Sequence, residues 1–353
     1  MDGSVILCIW VRSFWDGNFM TSDYLSTDRR PTLKTIAFMT GLGVSTVSQA
    51  LKDGPDISKA TKKRVQLIAK QIGYRPNRAG VRLRTGKTNV IALVLNTKEE
   101  SMGLVSEMVY GISDALSGTS YHLVVTPYSL SDPMEPIRYI VETGSADGVI
   151  ISRTQPDDPR VSYLLEHGMP FATHGRTSMG AIHPYHDFDN HAFAHEAVKI
   201  LDGRGRKNIA LLGPPSNLLF HKHTRSGFEA GLRAFGLREF WLGNIDIDTE
   251  LGEIIERGRT LSREEAKPDG IICSAASAAL AIGAGLTESG LRIGRDVDLV
   301  TKESSQLLSL LRPEIIYINE NFRTAGHSLA RSVMAWIDGA DPADFQFLVR
   351  PET

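Results

Sequence analysis

Beyond Thr88 the sequence alternates short apolar runs with amphipathic stretches, and it does so to the C-terminal end. The runs 90–95, 122–126, 148–151, 170–173, 208–212, 270–273, 297–300 and 315–318 are four to six residues long and mostly apolar. A strand that is apolar on both faces must be covered on both, which is the environment of a parallel sheet with helices above and below. Parallel strands also need crossovers, and the segments 103–116, 191–201, 226–235 and 277–286 supply helical spacing between the runs. The expected fold class is therefore α/β with two parallel-sheet lobes, whose ligands bind at the carboxyl ends of the strands.

Upstream the character changes. Residues 29–88 carry fourteen Lys and Arg against two acids, Asp53 and Asp56, a local charge of +12; the remainder is −14, and the overall −2 conceals both. Charge segregated on this scale marks one end of the molecule for a polyanion. At 353 residues the chain exceeds the roughly 250–300 that one core organises, so at least two domains follow. Cys8 and Cys273 make neither a disulfide framework nor a metal-type pair, which fits a reducing, cytoplasmic setting. The apolar run 5–11 is cut by Arg12, far short of the ~18 residues of a membrane span, so no membrane partner is expected. Its Met-Asp-Gly start is unlike a signal peptide. Residues 1–30 show no sustained periodicity and read as a disordered leader, or as an over-extended start ahead of Met20.

Residues 31–75 read as an all-helical, three-helix unit. Leu33, Ile36, Ala37 and Thr40 share one helical face, Thr32 stands at the N-cap, and Gly41-Leu42-Gly43 ends the helix. A second helix over 44–51 turns Val47 and Leu51 inward and Val44, Ser45, Ser48 and Gln49 outward. A third, capped by Ser58, places Val65, Ile68, Ala69 and Ile72 on one side before Gly73 closes it. On spacing alone the glycine turn suits a packing hairpin; within a +12 window it reads as a helix-turn-helix, whose second helix enters the major groove. It is not a dinucleotide-binding loop, because the glycines follow a helix and Thr46 stands where a third glycine is needed.

The run TLKTIAFMTGLGVSTVSQALKDGPDISKATKKRVQLIAKQIGYRPNRAGVRLRTGKTNVIALVL resembles the headpiece, hinge and first effector-domain strand of the LacI/GalR family of bacterial transcriptional regulators. VSTVSQAL, KKRV, GYRPN and RLRTGKT stand in family order and spacing, and ADGVIIS, GRGRKNIALLG, RSGFEAGL, LTESGLRIGRDVDLV and FLVRPE extend the likeness at lower specificity. The resemblance implies a homodimeric repressor without cofactors that binds double-stranded operator DNA. It divides the chain into a DNA-binding headpiece (31–75), a hinge helix and linker (76–88) and a two-lobed, periplasmic-binding-protein-like domain (89–353) for a small-molecule effector, a mono- or disaccharide. Whether the effector releases DNA or promotes its binding stays open.

The resemblance places base contacts at Val44, Ser45 and Gln49, phosphate or sugar contacts at Thr46, Ser48, Ser58 and Thr61, and further DNA contacts at Thr32, Tyr74, Asn77 and Arg78. Gln pairs bidentately with adenine, and an apolar group meets the thymine methyl. Many relatives carry Arg where Gln49 stands, so a guanine-preferring fork is missing here. The hinge segment 77–84 contains Gly80 and β-branched Val81, too short and too poor in helix propensity to be stable alone, and is expected to fold on DNA. Leu83 matches the Leu that the family wedges into the minor groove, so Leu83→Ala is expected to weaken operator binding and spare effector binding.

For the effector, the resemblance points to Asn96, Ser152, Arg153, Arg176, Asp189 and Arg225. Asp189 equally suits a helix cap, and Arg225 a solvated face. Two departures stand out: Thr224 holds the place of the family's Arg in the RxxG segment, and Ser274-Ala275-Ala276-Ser277 is small where an acid often grips sugar hydroxyls. Both point to a larger ligand such as a disaccharide, or to one that is not a sugar.

His183, His186, His191, His195, His221 and His223 lie close in sequence, and His191 and His195 have an i, i+4 spacing able to hold zinc. HAFAHE nevertheless lacks the glutamate between the histidines that a metallohydrolase uses, so these residues read as rim or surface positions. No G-x-S-x-G elbow or Walker-type loop appears, and an enzyme is not expected. A periplasmic sugar receptor, or an architectural DNA-binding protein, would each explain only half of the chain.

Overall fold

The computed structural model describes residues 31–74, 86–96, 104–128, 131–304 and 307–351, in two units, Met1–Thr85 and Gly86–Thr353. In the first unit α1 (Leu33–Thr40), α2 (Val44–Leu51) and α3 (Lys59–Gln71) close around Ile36, Ala37, Val47, Ala50, Val65 and Ala69. Thr32 Oγ1 accepts the Thr35 N–H at 3.3 Å while Thr35 Oγ1 accepts the Thr32 N–H at 3.1 Å, satisfying two donors that a helix start leaves orphaned. Gly41, at φ 66°, ends α1 in the left-handed geometry. Ser58 Oγ accepts the Thr61 N–H at 3.2 Å at the start of α3. Ala50 rather than Leu51 is the fully buried residue at the end of α2: the helix is rotated so that positions 47 and 50 meet the core, and Leu51 packs half-buried at its edge.

The second unit has two lobes. The first is built from β1 (Val90–Asn96), α4 (Leu104–Leu116), β2 (His122–Tyr128), α5 (Glu135–Thr143), β3 (Gly148–Ser152), α6 (Pro159–Glu166), β4 (Phe171–His174) and β5 (Tyr185–Phe188). The chain crosses at 188–190 into α7 (Asn190–Gly203), β6 (Asn208–Leu212), α8 (Leu219–Phe235), β7 (Arg238–Phe240), α9 (Leu251–Leu261), β8 (Gly270–Cys273), α10 (Ala276–Glu288), β9 (Asp298–Glu303), α11 (Leu307–Leu311) and β10 (Ile316–Asn319). It returns at 319–322 into α12 (Phe322–Ile337), a short 3-10 turn (Pro342–Phe345) and β11 (Gln346–Val349).

The sheets run β11-β5-β4-β3-β1-β2 and β10-β9-β8-β6-β7, with every pairing parallel. In β1 the alternating side chains explain the apolar run. Ile91, Leu93 and Leu95 pack against Met108, Ile112, Leu329 and Val333 of α4 and α12, and Ala92 and Val94 pack against Ile137, Ile140, Val161 and Leu164 of α5 and α6. Each of these Val, Leu, Ile and Met side chains contributes roughly 1.5–3 kcal/mol by leaving water. The second sheet is covered in the same way, with Ile271 and Leu299 facing Ile254, Ile282 and Leu286, and Ile209, Ile272 and Val300 facing Phe193, Leu201 and Phe228.

Both lobes pin their first strand identically. The Asp147 carboxylate accepts the backbone N–H groups of Thr88 and Asn89 at 2.7 and 2.8 Å, and the Asp269 carboxylate accepts those of Lys207 and Asn208 at 2.9 and 2.8 Å. The amphipathic pattern that suggested a helix from 226 begins at Leu219, because Leu219 and Thr224 extend the buried face of Phe228 backwards. Among the described residues no helix is long and apolar enough to cross a membrane.

Candidate functional site

On the first unit, Val44, Ser45 and Gln49 are exposed on α2, Val44 to 42%, while Thr46 and Ser48 are half-buried. α2 begins at Gly43 without a side-chain cap, leaving its first N–H groups to an outside acceptor such as a phosphate. Lys34, Lys52, Lys59, Lys63, Arg64 and Lys70 are exposed around it. Thr32, Ser58 and Thr61 lie at helix starts, where their hydroxyls already serve the caps, and Tyr74 packs half-buried against the three-helix core. Asn77, Arg78 and Leu83 lie outside the described residues.

In the second unit a cleft of about 1020 Å³, counted out to its open mouth, lies where the carboxyl ends of both sheets meet. The first lobe contributes Ser152 at the end of β3, Arg153 and Thr154 just beyond it, His174 at the end of β4 and Asp187 on β5; the second contributes Asn190, Asp248, Ser274, Lys302, Glu303 and Glu320. Phe188, Phe220 and Phe322 add aromatic surface. The polar groups are largely held by one another. Lys302 Nζ donates to Asn190 Oδ1 at 2.9 Å, lies 2.7 Å from Glu320 Oε2, and sits 5.3–5.6 Å from the rings of Phe188, Phe193 and Phe220. Arg176 Nε lies 2.9 Å from Asp187 Oδ2, Glu303 Oε1 accepts the Leu308 N–H at 2.7 Å, and Arg153 donates to Asp248 across the cleft.

Burial sets the protonation of this corner. It pushes the Asp187 carboxyl up to about 7, with Arg176 opposing, and pushes His174 and His186 down to about 4, with Lys302 helping at His174 and His174 at His186. Both imidazoles are therefore neutral near pH 7. Asp187 offers both an acceptor and, in a substantial fraction of molecules, a donor. Such a set suits a neutral ligand rich in hydroxyls, which both donate and accept.

Of the residues expected from sequence, Ser152 and Arg153 line the cleft. Asn96 is buried at the end of β1, and Arg176 stands behind the lining, holding Asp187. Asp189 caps α7 by accepting the Ala192 N–H at 2.9 Å. Arg225 is paired with Glu229 and Glu239 on the flank of α8, at 2.5–2.7 Å, outside the lining. The small residues at 274–277 do follow β8, but the cleft is not short of acids: Glu303 and Glu320 enter from the ends of the neighbouring β9 and β10. Their strand-end positions were a usable signal. Asp187 and Asp248 gave none, since one lies on a strand of mixed polarity and the other in a loop.

The histidines scatter. His183 is buried, 3.1 Å from Thr173 Oγ1 and stacked on Phe171; His195 meets Phe235; His221 Nδ1 lies 2.7 Å from the Pro214 carbonyl oxygen. Among the described residues no group of three or more His, Cys, Asp or Glu is arranged to hold a metal ion.

The model of periplasmic binding proteins and the sugar binding domain of the LacI family matches residues 88–349, and that of bacterial regulatory proteins of the lacI family matches residues 32–77. The HTH-type transcriptional regulator AglR of Rhizobium meliloti (strain 1021) is 30% identical over 314 residues, covering 86% of this chain and 87% of the relative. The regulator RafR of Escherichia coli is 30% identical over 323 residues, covering 90% and 96%. A solved complex of the regulator CelR with cellobiose is 25% identical with a TM-score of 0.66, over 92% of this chain and 98% of that one. The lac repressor dimer bound to operator and the anti-inducer ONPF shares the fold, with a TM-score of 0.79 at 19% identity over 92% and 97%. The relatives are transcriptional regulators, not enzymes. A basic helix-turn-helix unit joined to a two-lobed sugar-binding domain, matched over both parts, places this chain in the LacI family of bacterial regulatory proteins.

Proposed function

We propose that the protein is a homodimeric repressor that binds operator DNA through α2 and the hinge, and whose operator affinity is set by a neutral glycoside held between the lobes. The observation that carries this reading is the cleft. Its carboxylates, amide and neutral imidazole suit hydroxyl groups, and Phe220 and Phe322 offer sugar faces an apolar wall. Its cations Lys302 and Arg153 are already paired with Glu320 and Asp248, so a phosphate or carboxylate on the ligand would have to displace an acid and leave it stranded to gain a partner. The complex of the related CelR with cellobiose supports the same class.

Coupling follows from topology. The crossovers at 188–190 and 319–322 both border the cleft, so a ligand that changes how the lobes meet moves the second lobe against the first. The resulting shift in operator affinity is bounded by the ligand's differential affinity for the two arrangements. Exposed Tyr110, Val124 and Val125 on the first lobe and Leu251, Leu310 and Leu311 on the second offer apolar surface to a second copy, which would present two half-sites.

Selecting preferred sites from a random DNA pool, then repeating the binding with a panel of mono- and disaccharides, tests the reading. A two-fold-symmetric site whose affinity changes with one oligosaccharide is the expected result. Enrichment of no sequence, or a selected site indifferent to every sugar that binds, would overturn it.

A further inference from the structure

Inside the cleft Arg153 of the first lobe pairs directly with Asp248 of the second, and the two ends of this ion pair are built independently. Arg153 follows β3 of the first lobe and Asp248 lies beyond β7 of the second; their side chains are 14% and 20% exposed, and the guanidinium donates to the carboxylate. Arg153 adopts φ 54°, a left-handed backbone that a residue with a long side chain seldom takes. The conformation is held from behind: Arg160 donates to the carbonyl oxygens of Ser152 and Arg153 at 3.0 and 3.1 Å and is itself locked by the buried Asp158 at 2.7 Å. On the opposite side the Asp248 N–H donates to Asp246 Oδ1 at 2.8 Å, the Asp246 N–H donates to Thr249 Oγ1 at 3.0 Å, and the Ile247 N–H donates to the Gly213 carbonyl at 3.0 Å, just beyond β6. Strain retained at a ligand cleft, aiming a cation at a preset anion on the other lobe, is the arrangement of a contact that matters to the lobes' relative position.

We propose that the Arg153–Asp248 pair is an internal latch, which holds the cleft closed when no effector is present and which an entering effector replaces. The proposal rests on the cleft being the effector site. Because the two residues belong to different lobes, the cleft cannot open without breaking the pair, together with the neighbouring bond from the Leu219 N–H to the Thr154 carbonyl oxygen at 2.9 Å. A partly buried ion pair is stronger than a solvated one, so the ligand-free protein is biased toward closure. The hydroxyls of a sugar accept from the guanidinium and donate to the carboxylate, so a ligand of that class exchanges one cross-lobe bridge for another.

The latch is read without any sugar, so its failure is distinct from failure of the sugar reading, which the sugar panel decides. In full-length protein carrying Cys8→Ser, spin labels are placed at Tyr139→Cys on α5 and Trp241→Cys beyond β7, both exposed in their lobes. Cys273 is buried and its thiol is pushed up by burial, so it stays unlabelled. Labelled chains are diluted with unlabelled protein, and intramolecular distances are measured by pulsed dipolar spectroscopy. The expected result is a single separation with the native pair, and a second, longer population with Arg153→Gln and with Asp248→Asn. The charge-reversed double variant R153E/D248R returns it to one separation. Two independent single substitutions keep the test readable if one fails to fold. Distributions unchanged in the single variants, or a reversed pair as open as either of them, would overturn the latch.

Discussion

Asp187 and His174 line the cleft, His186 stands beside them outside its lining, and carboxyl and imidazoles answer pH in opposite senses. Burial raises the Asp187 carboxyl to about 7 from 3.8, so the stability it contributes is full below its unfolded value and is lost as pH rises through 7. Burial lowers His174 and His186 from 6.5 to about 4, so theirs is present above 6.5 and lost as pH falls through 4. Between pH 4 and 6.5 two histidines outweigh one carboxyl, and stability rises with pH; between 6.5 and 7 only Asp187 is still changing, and stability falls slightly. Asp187→Asn is therefore expected to remove the decline on the alkaline side and to steepen the rise between pH 4 and 6.5, where the carboxyl no longer opposes the histidines. Melting temperature against pH checks this, and a decline persisting in the variant above pH 6.5 would contradict the assignment. Lys302 makes a sharper case. Replacing it by Met strands Glu320, whose side chain is 7% exposed, and should cost about 3–5 kcal/mol in a denaturant titration. Adding Glu320→Gln should recover much of that loss, since the stranded group is then neutral.

At the level of elements, continuous apolar strands announce themselves because burial on both faces leaves no room for polar residues; β1, β3, β6 and β8 lie within a residue or two of where their apolar runs place them. β5 and β11 carry no such run, since YHDF delivers polar side chains to the cleft and QFLV sits exposed at the sheet edge. With β5 unread, Asp187 could not be placed, although Ser152 and Arg153 could, being the residues that end β3. Helix crossings are likewise invisible until the backbones are seen. A Cβ on Gly111 of α4 would lie 1.9 Å from the Arg323 carbonyl oxygen, and one on Gly326 of α12 would lie 2.2 Å from that of Met108. Gly111→Ala must push α12 away from α4, at a cost of ~1–3 kcal/mol typical of overpacking. Because α12 begins with Phe322 of the cleft, the same substitution should also weaken ligand binding. A drop in the urea midpoint with ligand affinity untouched would show that the displacement is absorbed before it reaches the cleft.

Over the whole molecule, charge separates the two tasks. The window 29–88 holds +12 of a chain whose remainder is −14, so affinity for a polyanion is concentrated in that window, and the lobes as a whole resist a phosphate backbone. Each phosphate that a cation neutralises releases counterions and lowers log K by about 0.9 per decade of salt. A dimer using several cations from each copy should therefore bind operator with a steep salt dependence, while the binding of a neutral glycoside in the cleft should barely respond to salt. The two sensitivities can be separated residue by residue. Lys63→Gln removes an exposed cation from α3, outside α2, so it should weaken operator and unrelated DNA alike and flatten the salt slope by roughly one unit for each phosphate left without its cation. Gln49→Ala, on the exposed face of α2, should leave the slope unchanged and cost about 1–3 kcal/mol against the selected operator alone. Titrations of both variants against operator and scrambled duplex over a range of salt distinguish these behaviours. A Gln49 variant that weakens scrambled duplex as much as operator would move that residue from the base edges to the backbone.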